Sequence, residues 1–259
     1  MSIIEHVTPS HSMTRDDALA QAKILASAIR ERAQAAEYAR HQLPETIQEI
    51  VQAGLIRLLT PARWGGYELN FDTFVDTVIE IGKADASASW CYSFLNIHAW
   101  LLAHFPEEAQ HDVWQETPDV LMADSLIPAG KVTSTDGGYR ISGNWPWVSG
   151  IDHSEWSMLS GLMPSPEGSS FEPYMFLIPR HDYEIQDSWF VAGLRASGSK
   201  NAVVQNAFVP KHRIIRLADM SEGNAPGATM NTHPMYRHPL MALFPSASFQ
   251  FATSCTCFS

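Results

Sequence analysis

The chain has 259 residues, and it is short of cysteine and of positive charge. Only Cys91, Cys255 and Cys257 occur. An odd number, two of them crowded at the end and none at zinc-ligand spacing, argues against a disulfide framework and suits a reduced, cytoplasmic setting. Lys and Arg number 17 against 28 Asp and Glu, a net charge of −11. Such a chain repels phosphate backbones, and no basic stripe offsets this, so nucleic acid is not expected as a partner. The G-x-G-x-x-G dinucleotide fingerprint and the G-x-S-x-G serine elbow are both missing. "GLRASGSK" (193–200) approaches a phosphate loop, but its order is Gly-Ser-Lys and the strand-like "NAVVQNAFVP" follows where a helix is required.

The 11 histidines raise the question of a metal. His98, His104 and His111 are too widely spaced to share a helical face with a third ligand, and no metal is expected. "MSIIEHVTPSHSMTRDD" has no basic start followed by an apolar core, so it does not read as a secretory signal. Residues 86–106, "ASASWCYSFLNIHAWLLAHFP", carry no charge and could span a bilayer by length. Three serines, an asparagine and two histidines there favour a helix buried in protein, with no membrane contact.

What is present divides the chain. Thr14 is placed to cap a helix with Asp16 and Asp17 in its first turn, followed by Ala22, Ala26, Ile29, Ala33 and Ala36 at alternating spacings of four and three. Pro44 suits a first helical turn and Gly54 a stop. Asn70 precedes an amphipathic run through Phe74, Val78 and Ile81, the uncharged helix follows, and "EEAQHDVW" forms a short helix after Pro106. From Asp119 to about Leu217 the runs are short, β-branched or aromatic and punctuated by Gly and Pro, the spacing of an antiparallel sheet or barrel. The expected fold is therefore α+β: a helical domain over 1–118, then a β domain over 119–218. Residues 219–259 begin with a loop-like segment.

Within the β region, "GGYRISGNWPWVSG" (137–150) stands out. The two-residue period of a strand puts Tyr139, Ile141, Trp145, Trp147 and Ser149 on one face. That face is either plain core or one wall of a site for a flat ring. His98, inside the uncharged helix, is either a core histidine bonded to a carbonyl or serine, or a donor or base facing a cavity.

Four stretches in register, "PARWGGYEL", "FPEEAQHDVW", "GGYRISGNWPWVSGIDHSEW" and "DSWFVAGLRASGSKNAVVQNAFVPKHR", resemble the acyl-CoA dehydrogenase superfamily. Within it the chain resembles the oxygenase components of two-component, flavin-dependent aromatic monooxygenases, over about Leu43 to Arg216. The resemblance implies an acyl-CoA dehydrogenase-like fold, with a β-barrel or sandwich after the helical domain, and a cofactor of reduced FMN or FAD with O2 as co-substrate. It further implies a small aromatic substrate of phenol or indole type, a separate flavin reductase and a homotetramer. Trp147, Val148 and Ser149 then lie against the isoalloxazine ring, with the Ser149 hydroxyl near N5 as a catalytic group. Ser125 becomes the polar contact of the preceding strand, and Trp189, Ser197 and Ser199 help to seat the flavin. His98 falls where such hydroxylases place a histidine on the substrate hydroxyl. "SLIPAG" replaces the Thr-Glu-Pro usual in the dehydrogenases, which favours the monooxygenase branch over acyl-CoA oxidation. Family members continue into a four-helix domain. Here a candidate first helix, "HPLMALFPSASFQFATS", is followed by "CTCFS", so a truncated, inactive fragment is one alternative expectation, and an acyl-CoA dehydrogenase or related flavin oxidase is the other.

Overall fold

A computed structural model describes residues 12–237. The candidate helix after residue 237, together with Cys255 and Cys257, lies outside them.

Five helices come first. In α1 (Arg15–Ala39) Thr14 forms a capping box with Asp17, satisfying two donors at the helix start. Its buried seam runs through Ala18, Ala22, Leu25, Ile29 and Ala36, and it packs on α3 (Phe71–Gly82). Between them, α2 (Pro44–Gln52) starts on its proline, and Gly54 follows in the left-handed region at φ 73°. The uncharged stretch forms α4 (Ala86–Leu102), with 13 of its 17 residues buried, so it is a central helix of the protein. Asp85 caps it through Ala88 N. Among the described residues no helix is long and apolar enough to cross a membrane. The short α5 (Glu107–Trp114) closes the set.

Seven strands follow: β1 (Met122–Thr135), β2 (Gly138–Val148), β3 (Trp156–Pro164), β4 (Phe171–Pro179), β5 (Glu184–Gln186), β6 (Lys200–Pro210) and β7 (Ile214–Arg216). Their order is β5-β6-β2-β1-β3-β4-β7. One pairing departs from the antiparallel expectation, because β1 and β3 run parallel. The cause is the length of β1: residues 131–135 pair with β2, whereas its first part pairs with β3 across an irregularity between Ser125 and Gly130. Pro128 lies in that irregularity and has no N–H to donate to a ladder. Strands on both sides of it share one apolar interior of Ile141, Trp145, Leu159, Phe176 and Val204. Gly130 permits this closure, since a Cβ there would lie 2.8 Å from both Ile141 and Trp145.

The loop-like segment after β7 is built into the helical core. Following α6 (Leu217–Glu222), Met235 and Tyr236 are buried among the helices. Trp100 Nε1 donates to Met235 O at 2.9 Å, Asn231 Nδ2 to Ala103 O at 2.7 Å and Tyr236 Oη to Leu59 O at 3.1 Å. Gly227 sits so close to Ala103 O that a Cβ would come within 1.9 Å of it.

Candidate functional site

The site is built where the end of β2 meets α4. Here the simple alternation of β2 fails. Trp145 pairs with Ala202 and Val148 with Lys200, so three steps on β2 face two on β6, and Trp147 within this bulge has φ 62°. Trp145 and Trp147 therefore do not share a face. Trp145 is fully buried, with Nε1 donating to Ser160 O at 2.7 Å, whereas Trp147 is 66% exposed. A bulky residue in the left-handed region is an outlier, and such strain collects at functional sites. Val148, next along, turns into the β interior, so only its backbone can face a ligand.

Beyond the bulge, three buried serines form a chain. Ser149 Oγ lies 2.9 Å from Ser199 Oγ, which lies 2.7 Å from Ser197 Oγ. Ser197 and Ser199 belong to a tight turn leading into β6, where Gly198 has φ 56°. Gln42 Nε2 holds that turn by donating to Ala196 O at 3.0 Å, and Lys200 Nζ pairs with Asp152 at 2.8 Å. The lysine of the phosphate-loop look-alike is thus committed to an ion pair.

The opposite wall is α4. Trp90, Phe94 and His98 recur every four residues and so occupy one helical face. Trp90 and Phe94 ring centroids are 5.1 Å apart, and Phe94 and His98 5.6 Å. Trp90 Nε1 donates to Ser149 Oγ at 2.9 Å, which ties this wall to the serine chain. Cys91, beside it, donates its Sγ–H to Ser197 O, and burial pushes its thiol up, so it is no nucleophile.

His98 is fully buried. Its Nδ1 is 2.6 Å from Met122 O, an acceptor only, so Nδ1 carries the proton. Nε2 lies 3.0 Å from Asp124 Oδ1 but outside hydrogen-bond geometry, and remains a buried polar atom without a partner. The core reading of His98 holds at Nδ1, which is bonded to a carbonyl; Nε2 sits beside the Asp124 carboxylate. Ser125, one residue past Asp124, donates to Pro146 O at 3.3 Å and so joins β1 to the bulge.

Hydrogen bonds thus link Ser149, Ser199 and Ser197 to α4, which carries His98, while Ser125 is bonded to the bulge that carries Trp147. Trp189 stands apart: its Nε1 donates to Leu194 O, and Arg40 holds its carbonyl and Asp187. Sequence reasoning passed over Trp90 and Asp124. The four-residue recurrence within the uncharged helix was the available signal for Trp90; nothing local marked Asp124, which meets His98 only through the fold. Among the described residues no group of three or more His, Cys, Asp or Glu side chains could hold a metal ion.

Residues 8–117 match the family of the acyl-CoA dehydrogenase N-terminal domain. The chain is 40% identical, over 84% of its length, to the flavin-dependent monooxygenase oxygenase subunit HsaA of Rhodococcus jostii, of which it covers 57%. It is 36% identical over 86% of its length to the oxygenase component of an FADH(2)-dependent resorcinol hydroxylase of a Rhizobium species, covering 54% of that protein. The crystal structure of the HsaA monooxygenase from M. tuberculosis superposes with a TM-score of 0.89 at 34% identity, over 93% of this chain and 66% of that one. The chain thus spans a little over half the length of the curated relatives it matches. Residues 8–117 thus match the acyl-CoA dehydrogenase N-terminal domain, the fold is that of the HsaA monooxygenase, and the sequence similarity is to the oxygenase subunits of flavin-dependent monooxygenases.

Proposed function

We propose that this chain forms all or part of the oxygenase component of a two-component monooxygenase that hydroxylates a small aromatic compound. The observation that carries this is Trp147, a strained and exposed indole two residues before Ser149, whose buried hydroxyl is bonded to Trp90 on the helix face that also carries Phe94 and His98. That donor set fits a flavin ring: flat apolar surfaces for stacking, one hydroxyl for its polar edge, and few groups to admit water. Reduced FMN or FAD, with O2 as co-substrate, would supply the oxygen-activating chemistry when bound. The relatives' names support this, one being FADH(2)-dependent and both being oxygenase subunits or components, which points to a separate reductase.

In this reading Trp147 and the backbone of Val148 lie against the ring, and Ser149 donates to its polar edge. Ser125 would keep β1 against that edge, while Ser197 and Ser199 would support Ser149; the resemblance gives Trp189 a part in seating the flavin, and the fold sets it apart from the serine chain. His98 holds its proton at Nδ1 against Met122 O and presents Nε2 as the acceptor for a substrate hydroxyl, orienting the ring and drawing off its proton. The catalytic groups are His98 and Ser149. The assembly is a homo-oligomer in the cytoplasm. The test supplies the chain with chemically reduced FMN or FAD, labelled O2 and a panel of phenols and indoles. Product carrying the label is the expected result, whereas reduction of oxidised flavin by an acyl-CoA would favour the dehydrogenase reading instead.

A further inference from the structure

The three serines behind Trp147 share a bookkeeping problem of protons. Each hydroxyl has one proton to donate, and two bonds link them: Ser149 to Ser199 at 2.9 Å and Ser199 to Ser197 at 2.7 Å. Three protons for two bonds leave one serine whose proton points elsewhere. If that serine were Ser197, its proton would be stranded, because Ser199 is the sole partner of its hydroxyl among the described residues and it is 1% exposed. If it were Ser199, both neighbours would donate to it and its own proton would be stranded at 3% exposure. Ser149 is different: it is the outermost of the three and sits two residues past the exposed Trp147. Buried polar hydrogens that find no acceptor are disfavoured, so the chain runs from Ser197 to Ser199 to Ser149.

Trp90 completes the constraint. Indole Nε1 can only donate, and it donates to Ser149 Oγ at 2.9 Å. Ser149 then accepts from Trp90 on one lone pair and from Ser199 on the other. Both are occupied, and its own proton is directed outward.

We propose that Ser199, backed by Ser197, is a positioning residue that fixes Ser149 as a hydrogen-bond donor, with no acceptor capacity left, toward the ligand at the end of β2. The identity of that ligand as a flavin rests on the function proposed above; the direction of the hydroxyl chain does not. Ser149 accordingly recognises a ligand atom with a lone pair. It needs no rotation or neighbour rearrangement to do so, because its direction is set before the ligand arrives.

Neutron diffraction from crystals of the full chain in D2O reads the direction without any ligand. Deuterium on Ser197 pointing to Ser199, and on Ser199 pointing to Ser149, is expected; the reverse order, or both neighbours donating to Ser199, overturns the proposal. Anaerobic titration with reduced FMN and reduced FAD then tests the consequence. Ser199→Ala weakens binding about twofold to fivefold, Ser199→Thr restores it, and Ser199→Ala has no further effect when Ser149 is already Ala. Equal losses from Ser199→Ala in both backgrounds mean a packing role only and sink the positioning claim. If neither flavin binds the wild-type chain, the flavin reading fails, and the nuclear density still decides the direction of the chain.

Discussion

Trp145 and Trp147 flank one proline yet belong to different regions: the interior of the β layers, and the face where β2 meets α4. Trp145 is enclosed and its indole N–H is satisfied by Ser160 O, whereas Trp147 is exposed on a strained backbone. The same division separates two histidines of the uncharged stretch. His104 donates from Nδ1 to Trp100 O and sits edge-on to the Trp100 ring at 4.3 Å, under the segment that returns after β7. His98 has the same arrangement at Nδ1, but its Nε2 lies beside Asp124 on the face that carries Trp90 and Phe94. Residue type alone therefore marks neither region. What separates them is where the backbone breaks its period and which side of α4 a ring occupies.

The sharpest contrast should come from the tryptophans. Trp145→Ala removes a fully buried ring and leaves a cavity, so it should cost about 3–5 kcal/mol in chemical denaturation. Trp147→Ala should change stability by no more than about 0.5 kcal/mol, as for surface positions generally. Equal costs would break the division between core and site.

His104 sharpens the core side. Burial holds its pKa down at about 4, against 6.5 for an ordinary histidine. The unfolded chain therefore takes up a proton at that position that the folded chain refuses. Stability from this group is complete above pH 6.5 and is lost as pH falls toward 4, by on the order of 3 kcal/mol. Unfolding free energies of wild type and His104→Gln, compared from pH 7 to pH 4, should converge by that amount. A constant offset across the range would contradict the assignment.

On the site side, Ser149→Ala should weaken flavin binding about fivefold, the worth of about 1 kcal/mol for one hydrogen bond. His98→Ala should leave flavin affinity within about twofold and lower the yield of hydroxylated phenol, as expected of a group that meets the substrate rather than the cofactor. The first is checked by titration, the second by product analysis. Comparable effects of both on flavin binding would merge the two roles.

Much of the helical part was legible because its signals are local. The Thr14 cap, Pro44 at a helix start and the burial of the uncharged helix each follow from a few neighbouring residues. The β part was legible as short punctuated strands, but its parallel β1–β3 pairing depends on how one long strand changes partner. The bulge at Trp147 was hidden for a related reason: period-two alternation presumes an unbroken ladder, and nothing in "WPWVSG" states that β6 is one residue short opposite it. The segment 219–237 reads as loop from its Gly, Pro and Asn, yet the Trp100 indole donor on α4 and the backbone acceptors of Ala103 and Leu59 turn it into core. The serines of the site came from family resemblance. Their connection into a single chain through Trp90 needed the fold.

The most direct test of the central claim is an anaerobic titration of the chain with reduced FMN and FAD, run beside Trp147→Ala and with melting followed by circular dichroism. Saturable binding of at least one flavin, weakened tenfold or more in Trp147→Ala at an unchanged melting temperature, is the predicted result. A cooperatively folded chain that binds neither flavin, or binds with the same affinity when Trp147 is Ala, would contradict the assignment of this face as the flavin site.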